Sequence, residues 1–302
     1  AMNRHSPAAA KQRGMAIISA LLIAAVVAVI AGAMLTRQTV FTRSLEAEQQ
    51  RVQGQWLLLG ALEQSRLLLW DARKKDVLTR LDQPWARAQG GVFEGRLEDE
   101  QGKFNLRNLV NRQQQDDEQL QHFERLCRLI GVDPTLSRRI SQRVIGSYDQ
   151  RVVHKGASDE RLPAKYPMLR SLDDLSGIEG IDPQVLRRLH AFVSVLPGNT
   201  WVNGNTASAE VLSAVVPLLS LAQAQALVAE RDSGRWFINR GDFVNRLRMP
   251  QVAMDSVQVG ITSEWFRLQG QARREQRRVT IEALLHRPED RQPQVIWSRV
   301  GV

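Results

Sequence analysis

The sequence predicts an α+β protein: one long N-terminal helix, a small antiparallel sheet, and a large all-α region inserted between the first strands and the last. Three observations carry this. An uncharged, almost wholly apolar run begins at Met15 and lasts until Arg37, and it leads without a proline into a leucine-rich stretch ending near Ala72. Helical periodicity dominates from about Gln113 to Val259. Alternating apolar and polar residues, broken by turn residues, mark residues 90–112 and the chain from Ile261 onward. The divisions that follow are a basic leader (1–14), an apolar half-helix (15–36), an amphipathic half-helix (37–75), first strands (90–112), an inserted helical region (113–259) and a terminal β-meander (260–302).

The N-terminal segment begins with Lys11, Arg13 and Gly14 before the apolar run. About 20 apolar residues suffice to cross a bilayer as a helix, and basic residues at one flank hold that end in the cytoplasm. The body of the protein is therefore expected outside it. Three readings compete. A secretory signal cleaved after Ala31–Ala33 fits the small-residue pattern, but the apolar run is longer than the usual 7–15 residue core of such signals. An uncleaved anchor is the second. The third is a continuous helix: no proline lies between Pro7 and Pro84, and Leu45, Val52, Trp56, Leu59, Leu62 and Leu69 recur as an amphipathic stripe. Such a helix from Met15 to about Ala72 spans roughly 85 Å, with Gly54 and Gly60 as points where it loosens.

Next, "GVFEGRLEDEQGKFNL" reads as strands joined by a tight turn. In the helical region, Asp133 and Asp182, each followed by proline, mark helix starts, and "NTASAE" offers Asn205 or Thr206 as an N-cap. "SLAQAQALVAER" is an alanine-rich helix. The single cysteine, Cys127, shares helical spacing with Leu120, Phe123, Leu126 and Ile130, which predicts a buried structural thiol and excludes an internal disulfide. After Ile261, "SEWFRLQGQAR", "RRVTIEALLHR" and "PQVIWSRV" form a three-strand meander.

A formal charge of +9 over 302 residues raises nucleic-acid binding as a possibility. The arginines are nevertheless scattered through the leader, the middle and the end, which describes a solvated surface. Signatures of catalysis are missing: there is no Gly-x-Ser-x-Gly elbow, phosphate loop or His-Glu-x-x-His, and His5, His122, His154, His190 and His286 lack ligand spacing. The sequence therefore points to a protein that is not an enzyme. Of the seven tryptophans, Trp70, Trp85, Trp201, Trp236, Trp265 and Trp297 are expected as core or interface anchors.

A short basic leader ending in Gly14 before a long hydrophobic helix resembles the type IV pilin-like proteins. The resemblance implies cleavage between Gly14 and Met15 by prepilin peptidase, and methylation of the new amine. The fifth residue of the mature chain, usually glutamate in that superfamily, is Ser19 here. A carboxylate among apolar helices is costly unless paired, so a subunit with Ser19 suits a place with no subunit ahead of it.

Lack of that acid is characteristic of one family, the minor pseudopilin GspK (general secretion pathway protein K) of type II secretion systems. "EDEQGKFNLRNL" (Glu98–Leu109) resembles its acidic, glycine-containing segment. "PGNTWVNGNTASAEVL" (Pro197–Leu212) is similar to its Asn-x-Asn-Thr-Ala segment, with Asn203, Asn205, Thr206 and Ala207 in register. "LDDLSGIEGIDPQVLRRLHAFVSVLP" (Leu172–Pro197) and the terminal strands fit as well. The resemblance implies a pilin-like framework carrying a large α-domain. It implies a single-pass inner-membrane protein with its body in the periplasm, capping a pseudopilus tip during export of folded proteins. Implied partners are the I-, J- and H-type minor pseudopilins, the major pseudopilin and prepilin peptidase, with secreted substrates and the secretin as further candidates. The family often binds calcium through acids of the α-domain, and calcium wants six to eight oxygens. Here Gln142, Ile145 and Ser147 stand where acids are expected and Ser158 replaces a glutamate. Asp149, Asp159 and Glu160 remain as candidate ligands for a weak calcium site.

A rival reading rests on "LSGIEGI", where Gly177 and Gly180 resemble a helix-hairpin-helix, a unit whose backbone amides hold DNA phosphates. The alternative function is a periplasmic, membrane-anchored DNA-binding protein of a competence-type system. Asp173, Asp174, Glu179 and Asp182 crowd that hairpin with negative charge that repels phosphate, so no nucleic-acid partner is expected.

Overall fold

The computed structural model describes residues 8–87, 93–152, 160–274 and 277–301. The chain divides into two units, Ala1–Trp56 and Leu57–Val302. A single helix, α1 (Ala8–Lys75), belongs to both.

In the first unit, the stretch Ile17–Glu46 of α1 reaches a mean hydropathy of 2.8 in its most apolar window, none of which is buried. Two hydroxyls within it are satisfied inside the helix: Thr36 Oγ1 donates to Gly32 O (2.9 Å) and Thr39 Oγ1 to Leu35 O (2.8 Å).

In the second unit, the remainder of α1 covers one face of a four-stranded antiparallel sheet. Its strands are β1 (Phe93–Asp99), β2 (Trp265–Arg274), β3 (Arg277–His286) and β4 (Gln294–Gly301), in the order β1-β2-β3-β4. The period-two pattern explains the packing. Leu97, Phe266, Leu268, Val279, Ile281, Ala283 and Leu285 form one buried cluster with Leu58, Leu62, Leu69 and Ala72 of α1 and with Trp85. Each fully buried leucine contributes about 2 kcal/mol. The predicted stripe is only partly right: Leu62 and Leu69 are buried, whereas Leu59 and Trp56 are exposed and the neighbouring Leu58 is buried instead. The leucine triplets at 57–59 and 67–69 leave the helical phase ambiguous in sequence.

Everything from Glu100 to Glu264 is inserted between the adjacent strands β1 and β2. Among the described residues it holds six helices: α2 (Asp117–Leu129), α3 (Pro134–Ile145), α4 (Pro183–Phe192), α5 (Ala209–Val215), α6 (Leu221–Asp232) and α7 (Arg240–Leu247). They share a second core around Phe104, Phe123, Leu126, Ile140, Leu212 and Phe243. Side-chain caps start them. Asp133 Oδ1 accepts from Thr135 N (2.8 Å) and Asp182 Oδ1 from Val185 N (2.7 Å), each with proline next, as the sequence predicts. Helix α5 is capped by Ser208, which accepts from Val211 N (3.3 Å), and not by Asn205 or Thr206, because those two are occupied elsewhere. Gly131, with φ 71°, turns the chain out of α2 in a conformation that suits glycine.

The predicted hairpin after α1 does not form. A 3-10 turn, Glu100–Gly102, ends β1, and Phe104–Asn105 pairs in parallel with Val193–Ser194. Phe104, Leu106 and Leu109 then enter the helical core, which outweighs local hairpin propensity. The three-strand meander β2-β3-β4 forms as predicted.

Candidate assembly site

Two features stand apart from ordinary packing: the apolar segment of α1, and a polar junction that fixes the inserted helices to the sheet.

On α1, Ile17, Leu21, Val29, Leu35 and Phe41 are all more than 60% exposed. A helix that is apolar all round is stable only where lipid or other helices surround it. It fits a single-pass membrane anchor. Ser19 is exposed on this segment. Gly14 and Met15 fall in the first part of α1, where the backbone alone is described.

The junction is built from the two segments that carried the family resemblance. Two asparagines of the first act as peptide mimics toward the second, or toward the residue just before it. Asn105 Nδ2 donates to Gly198 O (2.8 Å) and its Oδ1 accepts from Leu196 N (3.2 Å). Asn108 Nδ2 donates to Thr200 O (2.8 Å) and its Oδ1 accepts from Thr200 N (3.0 Å). Asn205, from the second segment, likewise donates to Phe237 O and accepts from Phe237 N, both at 2.9 Å. An amide side chain offers one donor and one acceptor side by side, which a carboxylate or a hydroxyl cannot reproduce.

Asp99, the last residue of β1, stands at the centre. Its Oδ1 accepts from Gln101 N (2.8 Å), and its Oδ2 accepts from Ser263 Oγ (2.5 Å), Thr206 Oγ1 (2.6 Å) and Asn203 Nδ2 (3.0 Å). Burial raises its pKa, and these hydrogen bonds oppose the rise. Beside it, Arg287 Nη2 donates to Thr79 Oγ1 and Ser263 O, both at 2.7 Å, and the guanidinium covers the Phe266 ring at 4.6 Å. Burial lowers this arginine to about 10, with Asp99 acting in the other direction. The loop after α1, the end of β1, the asparagine motif and the approaches to β2 and β4 thus meet at one buried point.

An ionic seam continues outward. Arg267 of β2 faces Glu98 (3.0 Å), Glu100 (3.1 Å) and Glu282 (3.5 Å), and Lys103 pairs with Glu98 (3.0 Å) and Glu100 (2.8 Å). Burial pushes Glu98 up, but Lys103, Arg267 and Arg96 together bring it down to about 2. Arg267 Nη1 also donates to His190 Nδ1 (3.0 Å), which leaves the imidazole proton on Nε2, facing Asp173 Oδ1 at 3.2 Å. The seam lines a cleft of about 830 Å³ between the sheet and α4.

The other sequence-predicted residues are dispersed. Asp149 accepts from Ala164 N (3.0 Å). Asp159 lies outside the described residues, as does the side chain of Glu160. Among the described residues, no three His, Cys, Asp or Glu side chains are grouped to hold a metal ion. The acids around Gly177 and Gly180 have local tasks: Asp174 accepts from Arg170 N and Ser171 N, Asp182 caps α4, and Glu179 pairs with Arg139. The arm before these glycines is a 3-10 turn, Leu172–Leu175. Cys127 is buried in the helical core, as its spacing predicts. Arg267, Ser263 and Arg287 carry the junction without any sequence signal of their own, whereas Asp99 lies within the acidic segment that carried the resemblance.

Comparison with known proteins agrees with this geometry. Two segments, residues 102–198 and 202–262, match family profiles described as type II secretion system (T2SS), protein K. The type II secretion system protein K of Pseudomonas aeruginosa is 28% identical, over 96% of this chain and 93% of its own. That of Klebsiella pneumoniae is 30% identical, over 75% and 77%. In structure, the chain is similar to one in the crystal structure of the GspK-GspI-GspJ complex from the enterotoxigenic Escherichia coli type 2 secretion system. The TM-score is 0.63 at 18% identity, covering 85% of this chain and 99% of that one, which establishes the shared fold. The matched segments contain most of the junction's asparagines, and with the near full-length relatives they lead to one conclusion: the chain belongs to the type II secretion system protein K family and is a minor pseudopilin.

Proposed function

We propose that the protein is a non-enzymatic cap of the pseudopilus tip, anchored in the inner membrane with its body in the periplasm and supporting export of folded proteins. The observation that carries this reading is the union of a fully exposed apolar helix with a large, rigidly clipped head. The helix suits a bundle of similar helices, and the head is too bulky to be repeated along a fibre of closely stacked subunits. The solved relative was crystallised with GspI and GspJ, which supports I- and J-type minor pseudopilins as partners here, with the H-type and the major pseudopilin below them. Contact with secreted substrate or the secretin belongs to the exposed surface of the helical insert.

On this reading prepilin peptidase cuts between Gly14 and Met15, Met15 is methylated, and Ser19 favours the terminal place because it brings no carboxylate into the bundle. Any calcium at Asp149, Asp159 and Glu160 binds weakly, since one oxygen of Asp149 already accepts from the backbone; calorimetric titration showing a tight site overturns that point. The main test is the mass and N-terminal sequence of membrane-purified protein made with and without prepilin peptidase. A peptidase-dependent start at methylated Met15 supports the reading. A start near Met34, or no processing, refutes it.

A further inference from the structure

The sheet ends on an open strand. β4 pairs with β3 from His286↔Gln294 to Thr280↔Gly301, and among the described residues no strand pairs with its other side. Its outer row of backbone N–H and C=O groups is a template for a further strand. The side chains do little to defend it. Val295, Ile296 and Val300 are 37%, 43% and 44% exposed, and Arg299 is the one charged residue between Gln294 and Gly301. The opposite edge, β1, carries Glu94, Arg96 and Glu98 at alternate positions, a common protection of a free edge. On β4, three β-branched side chains instead stand in water beside unpaired backbone groups.

The pattern of β4 suits a second copy of itself. When two identical edges pair antiparallel, the two-fold axis stands perpendicular to the sheet, so opposed residues share a face and the axis passes through one residue and its own copy. An axis at Arg299 sets guanidinium against guanidinium, which destabilises a strand pair. An axis at Trp297 sets Ile296, the extra residue of the bulge between Val295 and Trp297, directly opposite Ser298 and breaks the ladder there. An axis at Val300 leaves Val295 and Ile296 outside the pair, because β4 ends at Gly301. An axis at Ser298 has none of these faults. It sets Arg299 of each copy opposite Trp297 of the other, and the two side chains share a face, since the Arg299 guanidinium lies over its own Trp297 ring at 5.0 Å. A cation over an indole is attractive. Each guanidinium is also met within its own chain by Asp173 and Glu282, both at 3.5 Å, so two copies approach without bare charges. One step further out, Val295 and Ile296 come beside Val300 of the other copy. We propose that β4 pairs antiparallel with β4 of a second copy of this chain about a two-fold axis at Ser298, joining the two sheets into one. The contact is short, so the pair is weak and reversible. It shields both edges from indiscriminate strand addition, and its separation frees them.

The test uses the full-length chain in detergent, as single-cysteine variants in a Cys127→Ser background oxidised with copper phenanthroline. Directly opposed residues of an antiparallel pair lie about 4.5–5.5 Å apart at Cα, within reach of a disulfide. Ser298→Cys is expected to give linked dimers. Trp297→Cys mixed with a tagged Arg299→Cys chain is expected to link across the two, whereas Val295→Cys or Val300→Cys alone is not. Adding Val300→Lys to the Ser298→Cys chain should lower the dimer yield about tenfold, because a two-fold pair meets the substitution twice. Unchanged denaturant unfolding shows that this variant keeps its fold. Linking that ignores position overturns the proposal, as does a Ser298→Cys chain that stays monomeric. Linking undiminished by Val300→Lys also overturns it, since the dimer is then made elsewhere in the chain. So does a Ser298→Cys chain that, in cells making other pseudopilins, links to one of them and never to itself, an outcome that assigns the edge to a different chain.

Discussion

The Asp99 carboxylate and the Asn203 amide meet at 3.0 Å in a site where both residues are buried, and they come from opposite sides of the boundary between sheet and inserted helices. The Asn203 amide group also lies 2.8 Å from Ser263 Oγ and 3.1 Å from Thr79 O, so its two hydrogens serve three acceptors. Asp99→Ala leaves the Thr206 and Ser263 hydroxyls, Asn203 and the Gln101 amide short of a buried acceptor. The expected loss is about 3 kcal/mol or more. Asp99→Asn costs less: an oxygen kept at the Oδ2 position still accepts from Ser263 and Thr206, while the new NH2 opposes Gln101 N. Denaturant unfolding of the detergent-solubilised chain checks the order wild type, Asn, Ala; equal stability of the two variants contradicts it.

The neighbouring Glu98 predicts the acid response. Its folded pKa of about 2 lies below the ordinary 4.5, so its contribution to stability is complete above pH 4.5 and disappears as pH falls toward 2. Asp99 acts in the opposite sense, because a raised folded pKa favours the folded state at low pH and loses that contribution as pH rises. Glu98→Gln should therefore flatten the acid limb of a stability–pH curve between about pH 4.5 and 2. An unchanged limb counts against the assignment of Lys103 and Arg267 as its partners.

Arg267 holds the same seam from the other side. Arg267→Met strands Glu98, Glu100 and Glu282 with reduced compensation, and breaking a buried ion pair from one side costs about 3–5 kcal/mol. The variant should also free His190 Nδ1, which accepts from Arg267 in the wild type. Nitrogen-15 NMR of the imidazole reads this directly as loss of a fixed Nε2–H tautomer. A destabilised variant with an unaltered imidazole signal shows that the contact is incidental.

How far the sequence revealed all this depended on the range of the interaction. Helix starts at Asp133 and Asp182, the meander after Ile261 and the burial of Cys127 were legible because each rests on neighbours within a few residues. The cap at Ser208 was misread because Asn205 and Thr206 are drawn into contacts with Phe237 and Asp99, far off in sequence. The hairpin after β1 was misread for the same reason, since Phe104 belongs to the helical core. Of the junction's charged members, Asp99 lies in the acidic segment that was singled out, but Arg267 and Arg287 carry no local pattern, so nothing short of the fold could gather the three.

Cys127 offers a simple reporter of that fold. Burial pushes its thiol up to about 11, with the nearby Ser137 hydroxyl opposing the rise and Glu124 adding a smaller increase. At pH 8 only about one thiol in a thousand is thiolate, and the sulfur is out of reach of reagent. Modification by an aromatic disulfide should therefore wait for unfolding and follow the denaturant transition. Rapid labelling of native protein contradicts the packing of α2.

Ser19 bears on the proposed place in the assembly. In a bundle of apolar helices a carboxylate costs several kcal/mol unless a cation meets it, and on the proposed reading the N-terminal amine of the subunit ahead is that cation. A subunit that has no one ahead of it is best served by a neutral residue at this position. Ser19→Glu reverses that preference. In cells making the other pseudopilins, the variant should enter positions below other subunits, seen as new cysteine crosslinks between the amphipathic part of its α1 and a subunit above. Its own cap function should weaken at the same time, with more extended pseudopili as the readout. Crosslinks confined to the wild-type set mean that the size of the inserted head, and not the residue at position 19, determines tip placement.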